Sequence, residues 1–311
     1  MNFKLLDLIT PLILTYNEAP NIGRTLERLV WAQDIVIVDS FSSDNTVEIV
    51  SRFPQARVFQ RKFDTHGNQW SFGLEETGIK SEWVLALDAD YLLTPKFIEE
   101  LKLLKPEFET RGYRARFVYC INGHSLRGSA YPPVTVLYRR ADASYIQDGH
   151  TQRIEVKGRI KDLHSTILHD DRKPLAHWIQ AQSRYMRLEA EKINQTDFRQ
   201  LGWADRLRKG KLFAPFLIFF YCMFIKGLLL NGRIGFYYAL QRTFSEFLLS
   251  LYLIESDLNM RRERRVEEKA LDEVLLNSHG NTVCDSGRAV GPHELHVTAS
   301  GEDLINVHSG N

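Results

Sequence analysis

Residues 84–95 read VLALDADYLLTP, an apolar run that two aspartates interrupt before it resumes. Buried carboxylates are costly unless they are paired or bound to a cation. Asp88 and Asp90 therefore suit a hard divalent cation, Mg²⁺ or Mn²⁺, which prefers oxygen ligands and completes its shell with phosphate oxygens. The alternative is that one aspartate caps the following helix while the other is solvated.

Two other polar clusters follow apolar runs in the same way. Tyr16, Asn17 and Glu18 come after PLILT, and Asp39 ends DIVIVD. An aromatic ring offers a surface for a nucleotide base, and a carboxylate can accept hydrogen bonds from a ribose or a base. The alternative for Asp39 is an Asx-type cap of the next helix.

The segments between these clusters have helical patterns. Apolar residues recur at helical spacing in NIGRTLERLVWAQ, SSDNTVEIVSRF and NQWSFGLEETG, and Thr94 with Pro95 is typical of a helix start. Strands that alternate with helices indicate βαβ units and a mostly parallel sheet. Ligands bind beyond the carboxyl ends of such strands. We therefore expect the three polar clusters to converge on one site.

Three blocks together resemble a known family. LILTYNEAPNIGRTLERL, DIVIVDSFSSDNT and EWVLALDAD resemble, in order and spacing, the nucleotide-sugar half of the family-2 glycosyltransferases, which have the GT-A fold. GHTQRIEVKGRIKDLHSTILH and the stretch ending in NGRIGFYYA resemble the bacterial lipopolysaccharide core glycosyltransferases. The resemblance covers about residues 8–255.

The resemblance implies a role for individual residues. The donor nucleotide sugar would contact Thr15, Tyr16, Asn17, Glu18, Asp39, Gln69, Asp88 and Ala89. Mg²⁺ or Mn²⁺ would be bound by Asp90 and Asp88, with His169 beside the metal or the diphosphate. The chain departs from its relatives at Tyr91, where many have an acidic residue, and at Trp70 and Ser71, where a basic residue and Asn are usual.

An inverting glycosyltransferase also needs a base that takes the proton from the acceptor hydroxyl. YIQDGHTQRIE offers Asp148, then His150, then Glu155, each of which could equally be a solvated loop residue. Arg153, Arg159 and Arg172 could neutralise phosphates. The base is left open among the three.

A long apolar region lies near the carboxyl end of the chain. Residues 212–230 are almost entirely apolar, residues 234–254 largely so, and basic clusters flank the region at residues 206–211 and 261–265. Because positive flanks stay on the cytoplasmic side, we expect two helices in the membrane interface, or a hairpin, on the cytoplasmic face of the inner membrane. The alternative is a buried helical pair in a soluble core or a dimer interface.

These patterns predict an α/β chain with a GT-A (Rossmann-like, mostly parallel) sheet and C-terminal membrane-associated helices. The predicted divisions are 1–110 for the nucleotide-sugar half, 111–174 for the acceptor half, 175–260 for the membrane-associating helices and 261–311 for a charged segment with a flexible tail.

Composition limits the function classes. The net charge of +1 gives no general attraction to nucleic acid, and the three distant cysteines indicate neither disulfides nor a zinc site. The first residues predict a strand rather than a signal peptide. The predicted function is transfer of a sugar from a nucleotide-diphosphate donor to a lipid-linked or lipopolysaccharide-type acceptor. The alternatives are a sugar-phosphate nucleotidyltransferase, whose usual Gly-rich loop TYNEAPNIG lacks, and a non-catalytic nucleotide-sugar-binding membrane protein.

Overall fold

The computed structural model describes residues 5–148 and 151–280. The first half alternates strands and helices. Its elements are β1 (Ile9–Thr15), α1 (Ile22–Glu27), β2 (Ile35–Asp39), α2 (Thr46–Val50), β3 (Ala56–Gln60), α3 (His66–Glu75), β4 (Trp83–Asp88), β5 (Tyr91–Leu93) and α4 (Pro95–Leu103).

The second half begins with strands and ends in helices. Its elements are β6 (Thr110–Ile121), β7 (His124–Ser125), β8 (Val134–Arg139), β9 (Ala143–Asp148), β10 (Thr151–Val156), β11 (Arg159–His169), α5 (Leu175–Gln195), α6 (Trp203–Lys209), α7 (Ala214–Phe220) and α8 (Gly232–Gly280).

One large sheet organises the chain, in the order β3-β2-β1-β4-β8-β6-β11-β5, with β7 paired to β6. Strands β3, β2, β1 and β4 are parallel, and β6 is parallel to β11, whereas β8 and β5 run the other way. Strands β9 and β10 form a separate hairpin. The predicted α/β class with a mostly parallel sheet is confirmed.

Side chains along the central strands alternate between the two faces of the sheet, and both faces are packed. In β1, Ile13 faces the core formed with α1 and α4, while its neighbour Leu12 faces the core formed with α3. The helix α3 lies close to β1, because a Cβ on Gly73 would lie 2.7 Å from Leu12 Cδ1. Parallel strands buried on both faces read as nearly continuous apolar runs, as these do.

Helix α1 is shorter than the pattern predicts. It ends at Glu27, and the Arg28 and Leu29 amides donate to carbonyls three residues back, at 3.1 and 2.9 Å. This tighter final turn still buries Leu29 completely. The apolar spacing over residues 21–33 thus predicts the buried face correctly and the helix length wrongly.

The C-terminal helices pack on each other and on the sheet. Helix α5 buries Met186 and Ile193 against Leu249 and Leu253 of α8. The apolar stretch 212–230 is not one helix: α7 continues as a π-helical turn, Tyr221–Ile225, and then breaks. Gly227 takes the left-handed conformation there, with φ +69°.

Within residues 5–148 and 151–280, no single helix is both long and apolar enough to cross a membrane. The helices Ala214–Ile225 and Leu228–Leu271, bent by 72° relative to each other, have the length and apolar composition for this only as a pair. Association of this region with a membrane stays a prediction.

The chain divides into two units, Met1–Asp257 and Leu258–Asn311. The first contains the whole sheet, and the described part of the second is the remainder of α8. The predicted flexible tail lies largely outside the described residues. The finer four-part division stays a prediction.

Candidate active site

The sheet register places the three predicted clusters at one edge. Leu14 of β1 pairs with Val38 of β2 on one side and with Asp88 of β4 on the other. The chain segments that follow these strands therefore leave the sheet side by side, as parallel strands require.

Asp39 is fully buried at the end of β2. Its carboxylate accepts hydrogen bonds from Thr15 Oγ1 at 2.8 Å and from the Ser42 amide and hydroxyl at 2.9 and 2.6 Å. Asn17 joins the same loops, because its Oδ1 accepts from the Ser43 amide at 2.8 Å. Asp39 and Asn17 thus shape the loops that border the site.

Asp88 ends β4, and Asp90 lies in the turn before β5. Burial, and then the charge of Asp90, raise the pKa of Asp88. Burial also acts to raise the pKa of Asp90, but His169 outweighs it, so the pKa of Asp90 is lowered. Two buried carboxylates this close together need positive charge nearby to remain ionised.

His169 supplies part of that charge. It ends β11, where it pairs in register with Tyr91, and its Nε2 lies 3.1 Å from Asp90 Oδ2. Its other ring nitrogen, Nδ1, is buried without a hydrogen-bond partner among the described residues. Burial lowers the pKa of His169, yet the charge of Asp90 outweighs burial and raises it.

Three tyrosines surround the His169 ring. The ring centroids of Tyr91, Tyr119 and Tyr131 lie 5.1, 4.6 and 5.1 Å from it. Tyr91 also forms a hydrogen bond with Tyr131 through their hydroxyls. Tyr91, a departure from the pattern of the resembled family, therefore packs the histidine in place.

A second buried pair lies beside the aspartates. Lys173 Nζ donates to Glu18 Oε1 at 2.5 Å, and Asn21 Nδ2 donates to Glu18 Oε2 at 2.8 Å. Burial raises the pKa of Glu18 to about 7 despite the opposing charge of Lys173. Glu18 and Asp90 together raise the pKa of Lys173 against the effect of its own burial. Lys173 is thus a largely buried cation that is paired with Glu18 and acts on Asp90.

These groups line one cavity of about 670 Å³. Of the residues predicted to contact donor or metal, those that line it are Thr15, Tyr16, Glu18, Gln69, Asp88, Ala89, Asp90 and His169. The far side of the cavity is formed by α5 and α8, with Trp178, Gln182, Arg208, Arg242 and Glu246 among the lining residues.

The predicted base lies outside this lining. Asp148 ends β9, where its Oδ1 accepts from Lys192 Nζ of α5 at 2.8 Å. His150 is outside the described residues. Glu155 is exposed and lies 3.6 Å from Arg153, and Arg172 is paired with Asp170 at 2.8 Å. The choice of base stays a prediction.

Sequence reasoning missed Lys173 and Arg242. Lys173 stands four residues after His169 in DDRKP, so a search for cations just beyond the last strand would have found it. Arg242 lies in an apolar helix, where a lone arginine is itself a signal. Trp70, a departure from the family pattern, is buried and stacks on Tyr145 with ring centroids 5.4 Å apart.

A sheet of this topology, with carboxylates at the ends of β2 and β4, is typical of the class of α/β proteins that bind their ligands beyond the carboxyl ends of parallel strands. Residues 12–108 match the family model described as glycosyl transferase family 2. Over these residues the resemblance drawn from the three sequence blocks is confirmed, and the sheet has the mostly parallel topology that the resemblance implies.

Two curated relatives extend the likeness. A lipopolysaccharide core biosynthesis glycosyltransferase, LpsC, of Rhizobium meliloti is 28% identical over 256 residues, which cover 77% of this chain and 89% of that protein. An uncharacterised glycosyltransferase of Rickettsia conorii is 23% identical over 283 residues, or 84% and 95% of the two chains.

Among solved structures, the mannosyltransferase of Pyrobaculum calidifontis in complex with GDP-Man and Mn²⁺ is similar at 14% identity and a TM-score of 0.45. The match covers 83% of this chain and 87% of that one.

Proposed function

We propose that this glycosyltransferase moves a sugar from a nucleoside-diphosphate donor, with inversion, to a lipid-linked or lipopolysaccharide-type acceptor. One observation carries the donor assignment: Asp88, Asp90 and His169 meet at the edge where the β1 and β2 loops border the same cavity. Asp39, buried behind that edge, holds the loops with Thr15 and Ser42. The donor's base and ribose would lie against these loops and its diphosphate near Asp90.

The donor set fits Mg²⁺ or Mn²⁺. Asp90 Oδ2 and His169 Nε2 lie 3.1 Å apart, and the charges of Asp90 and His169 act on the buried Asp88 beside them. These ions commonly use one or two carboxylates and take further oxygens from phosphates. When bound, the cation would supply charge stabilisation to the departing diphosphate. Asp90 would hold it, with His169 and Asp88 beside it.

Inversion requires one displacement at the anomeric carbon. A base takes the acceptor hydroxyl's proton, the oxygen forms the new bond, and the bond to the diphosphate breaks, which releases a nucleoside diphosphate. Asp148 is our first choice of base, and the exchange of Lys192 for substrate would free it. His150 is the second choice. Lys173 is placed to neutralise charge on the donor's phosphates.

The acceptor assignment and the location draw on the C-terminal helices. The relative LpsC is named for lipopolysaccharide core synthesis, and its likeness covers 77% of this chain. Several aromatic side chains are exposed in the α7 region, which is α7 with the π-helical turn that follows it (Ala214–Ile225). Helix α6 ends in basic residues, including Arg206 and Lys209. An apolar surface next to positive charge favours the anionic cytoplasmic face of the inner membrane. We propose peripheral or monotopic binding there.

The donor test is a thermal-shift screen of nucleotide sugars with Mn²⁺, followed by a turnover assay on each donor that stabilises the protein. We expect one donor class to raise Tm, release of nucleoside diphosphate, and loss of turnover with EDTA. Release of pyrophosphate would instead indicate nucleotidyl transfer, and turnover unaffected by EDTA would contradict metal dependence. The anomeric configuration of the product, measured by NMR, tests inversion.

A further inference from the structure

The part of the cavity lined by α5 and α8 contains an arginine with an unmet hydrogen bond. Arg242 of α8 lines this cavity, and its Nε is buried without a partner among the described residues. No ion pair of Arg242 occurs in the described parts of the chain. A guanidinium cannot lose its proton in a protein, so it remains a buried, unpaired donor.

The acids around Arg242 are already paired with other cations. Glu246, one helical turn further along α8, accepts from Arg208 Nη2 at 2.7 Å and from Arg208 Nε at 3.1 Å. Glu189 lies 3.6 Å from Lys192, and Asp171 lies 3.9 Å from Lys173. The positive charge of Arg242 is therefore unmatched by the carboxylates that share its cavity.

Other cations act on the aspartates. His169 and Lys173 are the cations whose charges act on Asp88 and Asp90, and Lys173 is also paired with Glu18. Tyr119 links this group to α8: its ring centroid lies 4.6 Å from that of His169 and 4.9 Å from that of Tyr238, which precedes Arg242 by one turn. A diphosphate bound near Asp90 would thus have His169 and Lys173 as its neighbouring cations.

The surroundings of Arg242 suit a sugar. Trp178 of α5 lines the same cavity with its ring 6.1 Å from that of Phe244, and Gln182 offers amide hydrogens nearby. Aromatic faces and amide groups are what a saccharide ring packs on and bonds to. Tyr238 in turn packs with Cys222 and Met223 of the π-helical turn, so this end of the cavity adjoins the exposed apolar segment.

We propose that Arg242 binds an anionic group, a phosphate or a carboxylate, on the acceptor sugar. The acceptor would then be a charged saccharide whose ring rests on Trp178, while its reactive hydroxyl faces the sugar of the donor. This inference rests on the proposed function, because it names the acceptor class for the same cavity. It makes Arg242 a specificity-determining residue.

Binding of small probes tests the subsite without turnover. The probes are glucose 6-phosphate, glucuronate and uncharged glucose, titrated calorimetrically into the full chain with and without UDP or GDP and Mn²⁺. We expect both charged sugars to bind and glucose to bind far more weakly. Arg242→Gln should weaken binding of the charged sugars by roughly ten- to a hundredfold, because a charge-assisted hydrogen bond is lost.

Two variants make the result specific. Arg233→Gln removes an exposed arginine of the same helix that does not line the cavity, and it should bind like the wild type. Arg242→Lys keeps the charge but loses the guanidinium fork, so it should fall between the two. It also serves as the test variant if Arg242→Gln does not fold by circular dichroism.

Competition with nucleotide shows whether the anionic group that Arg242 binds belongs to the acceptor sugar or to the donor's diphosphate. If the proposal is right, the charged sugars still bind when UDP or GDP with Mn²⁺ is saturating, and Arg242→Gln leaves the nucleotide affinity unchanged. Displacement of the sugars by nucleotide, or an equal loss of nucleotide affinity, would assign Arg242 to the donor's diphosphate and overturn the proposal. Equal binding of charged sugars to wild type and Arg242→Gln would overturn it as well. A failed donor screen bears on the proposed function alone, since these titrations need no donor turnover.

Discussion

The sheet buries its largest apolar side chains, whereas the C-terminal helices leave several of theirs exposed. Trp83 and Phe97 are among the largest fully buried side chains of the sheet unit's core. In the α7 region, Phe216, Phe220 and Phe224 are 56%, 55% and 61% exposed. The sheet therefore completes its own core, whereas these helices leave apolar area that other molecules must cover.

Buried polar groups are mostly partnered in both regions. In the sheet, Asp39 is hydrogen-bonded to Thr15 and Ser42, and Glu18 to Lys173. Among the C-terminal helices, Glu246 is paired with Arg208. The buried nitrogens without a partner in the described residues are His169 Nδ1 and Arg242 Nε, and both residues line the cavity. The cavity is thus where each region leaves a hydrogen bond to be made by what binds there.

The largest effect is expected at the donor end of the cavity, where Asp88, Asp90 and His169 meet. Asp90→Asn keeps the shape of the side chain but removes the charge that faces His169, so kcat/KM should fall by roughly a hundred- to a thousandfold. Steady-state assays at saturating Mn²⁺ measure it. Asp162→Asn, which removes an exposed aspartate of β11 paired with Arg114, should keep wild-type activity. Equal losses in both variants would mean that the donor end is not organised around Asp90.

The second effect concerns the buried pair beside it. Lys173→Met leaves Glu18 buried without its cation, and we expect a loss of about 3 kcal/mol in unfolding free energy at pH 8. Burial raises the pKa of Glu18 to about 7 even with Lys173 present. Folding thus favours its protonated form, and stability is lost as pH rises from its ordinary pKa toward 7 and beyond.

The sign of this pH dependence is the test. The penalty of Lys173→Met should be small at pH 5, where Glu18 is protonated, and should grow toward pH 8; urea unfolding at both pH values measures it. The double variant with Glu18→Gln should recover most of the loss at pH 8. A penalty that is independent of pH would mean that Lys173 acts through packing alone.

The third effect belongs to the exposed aromatics. Replacing Phe216, Phe220 and Phe224 together with alanine should weaken binding to vesicles of phosphatidylethanolamine with phosphatidylglycerol by roughly ten- to a hundredfold, about 2 kcal/mol, because less apolar area is buried. Tm should change little, since these rings contribute little to the core.

Phe108 provides the matched control. It is 78% exposed but lies outside the C-terminal helices, so Phe108→Ala should bind vesicles like the wild type. A large drop in Tm for the triple variant would mean that the aromatics stabilise the fold. Co-flotation of vesicles with wild type and variants measures the binding.

The difference between the two regions also separates what the sequence could predict from what it could not. The donor end follows from local rules: strand and helix patterns place parallel strands side by side, and Asp39 and Asp88 end two of them. Asp90 was predicted from its spacing to Asp88. These inferences need only the alternation of elements and the rule for strand ends.

The remainder depends on packing between distant segments. Lys173 reaches Glu18 across 155 residues of sequence, and nothing near either residue specifies that pairing. Arg242 enters the cavity only because α8 packs on α5 through Leu249 and Met186. The apolar run 212–230 is interrupted near its end by Lys226 and Gly227, and the chain turns there, so a reading by apolar composition alone predicts too regular a helix.

The smallest effect tests a local rule that both sequence and structure support. Thr94 caps α4, since its Oγ1 accepts from the Phe97 amide at 3.2 Å, and Pro95 follows as the first helical residue. Thr94→Ala should cost about 1 kcal/mol of unfolding free energy, whereas Thr94→Ser should cost close to nothing, because the hydroxyl acceptor remains. Urea unfolding of both variants measures the difference. Helix α4 packs Phe97 and Leu101 into the sheet core, so this cap stabilises the region that buries its own apolar side chains. Its loss should leave vesicle binding unchanged. Equal costs for alanine and serine would assign the effect to the threonine methyl group and not to the cap.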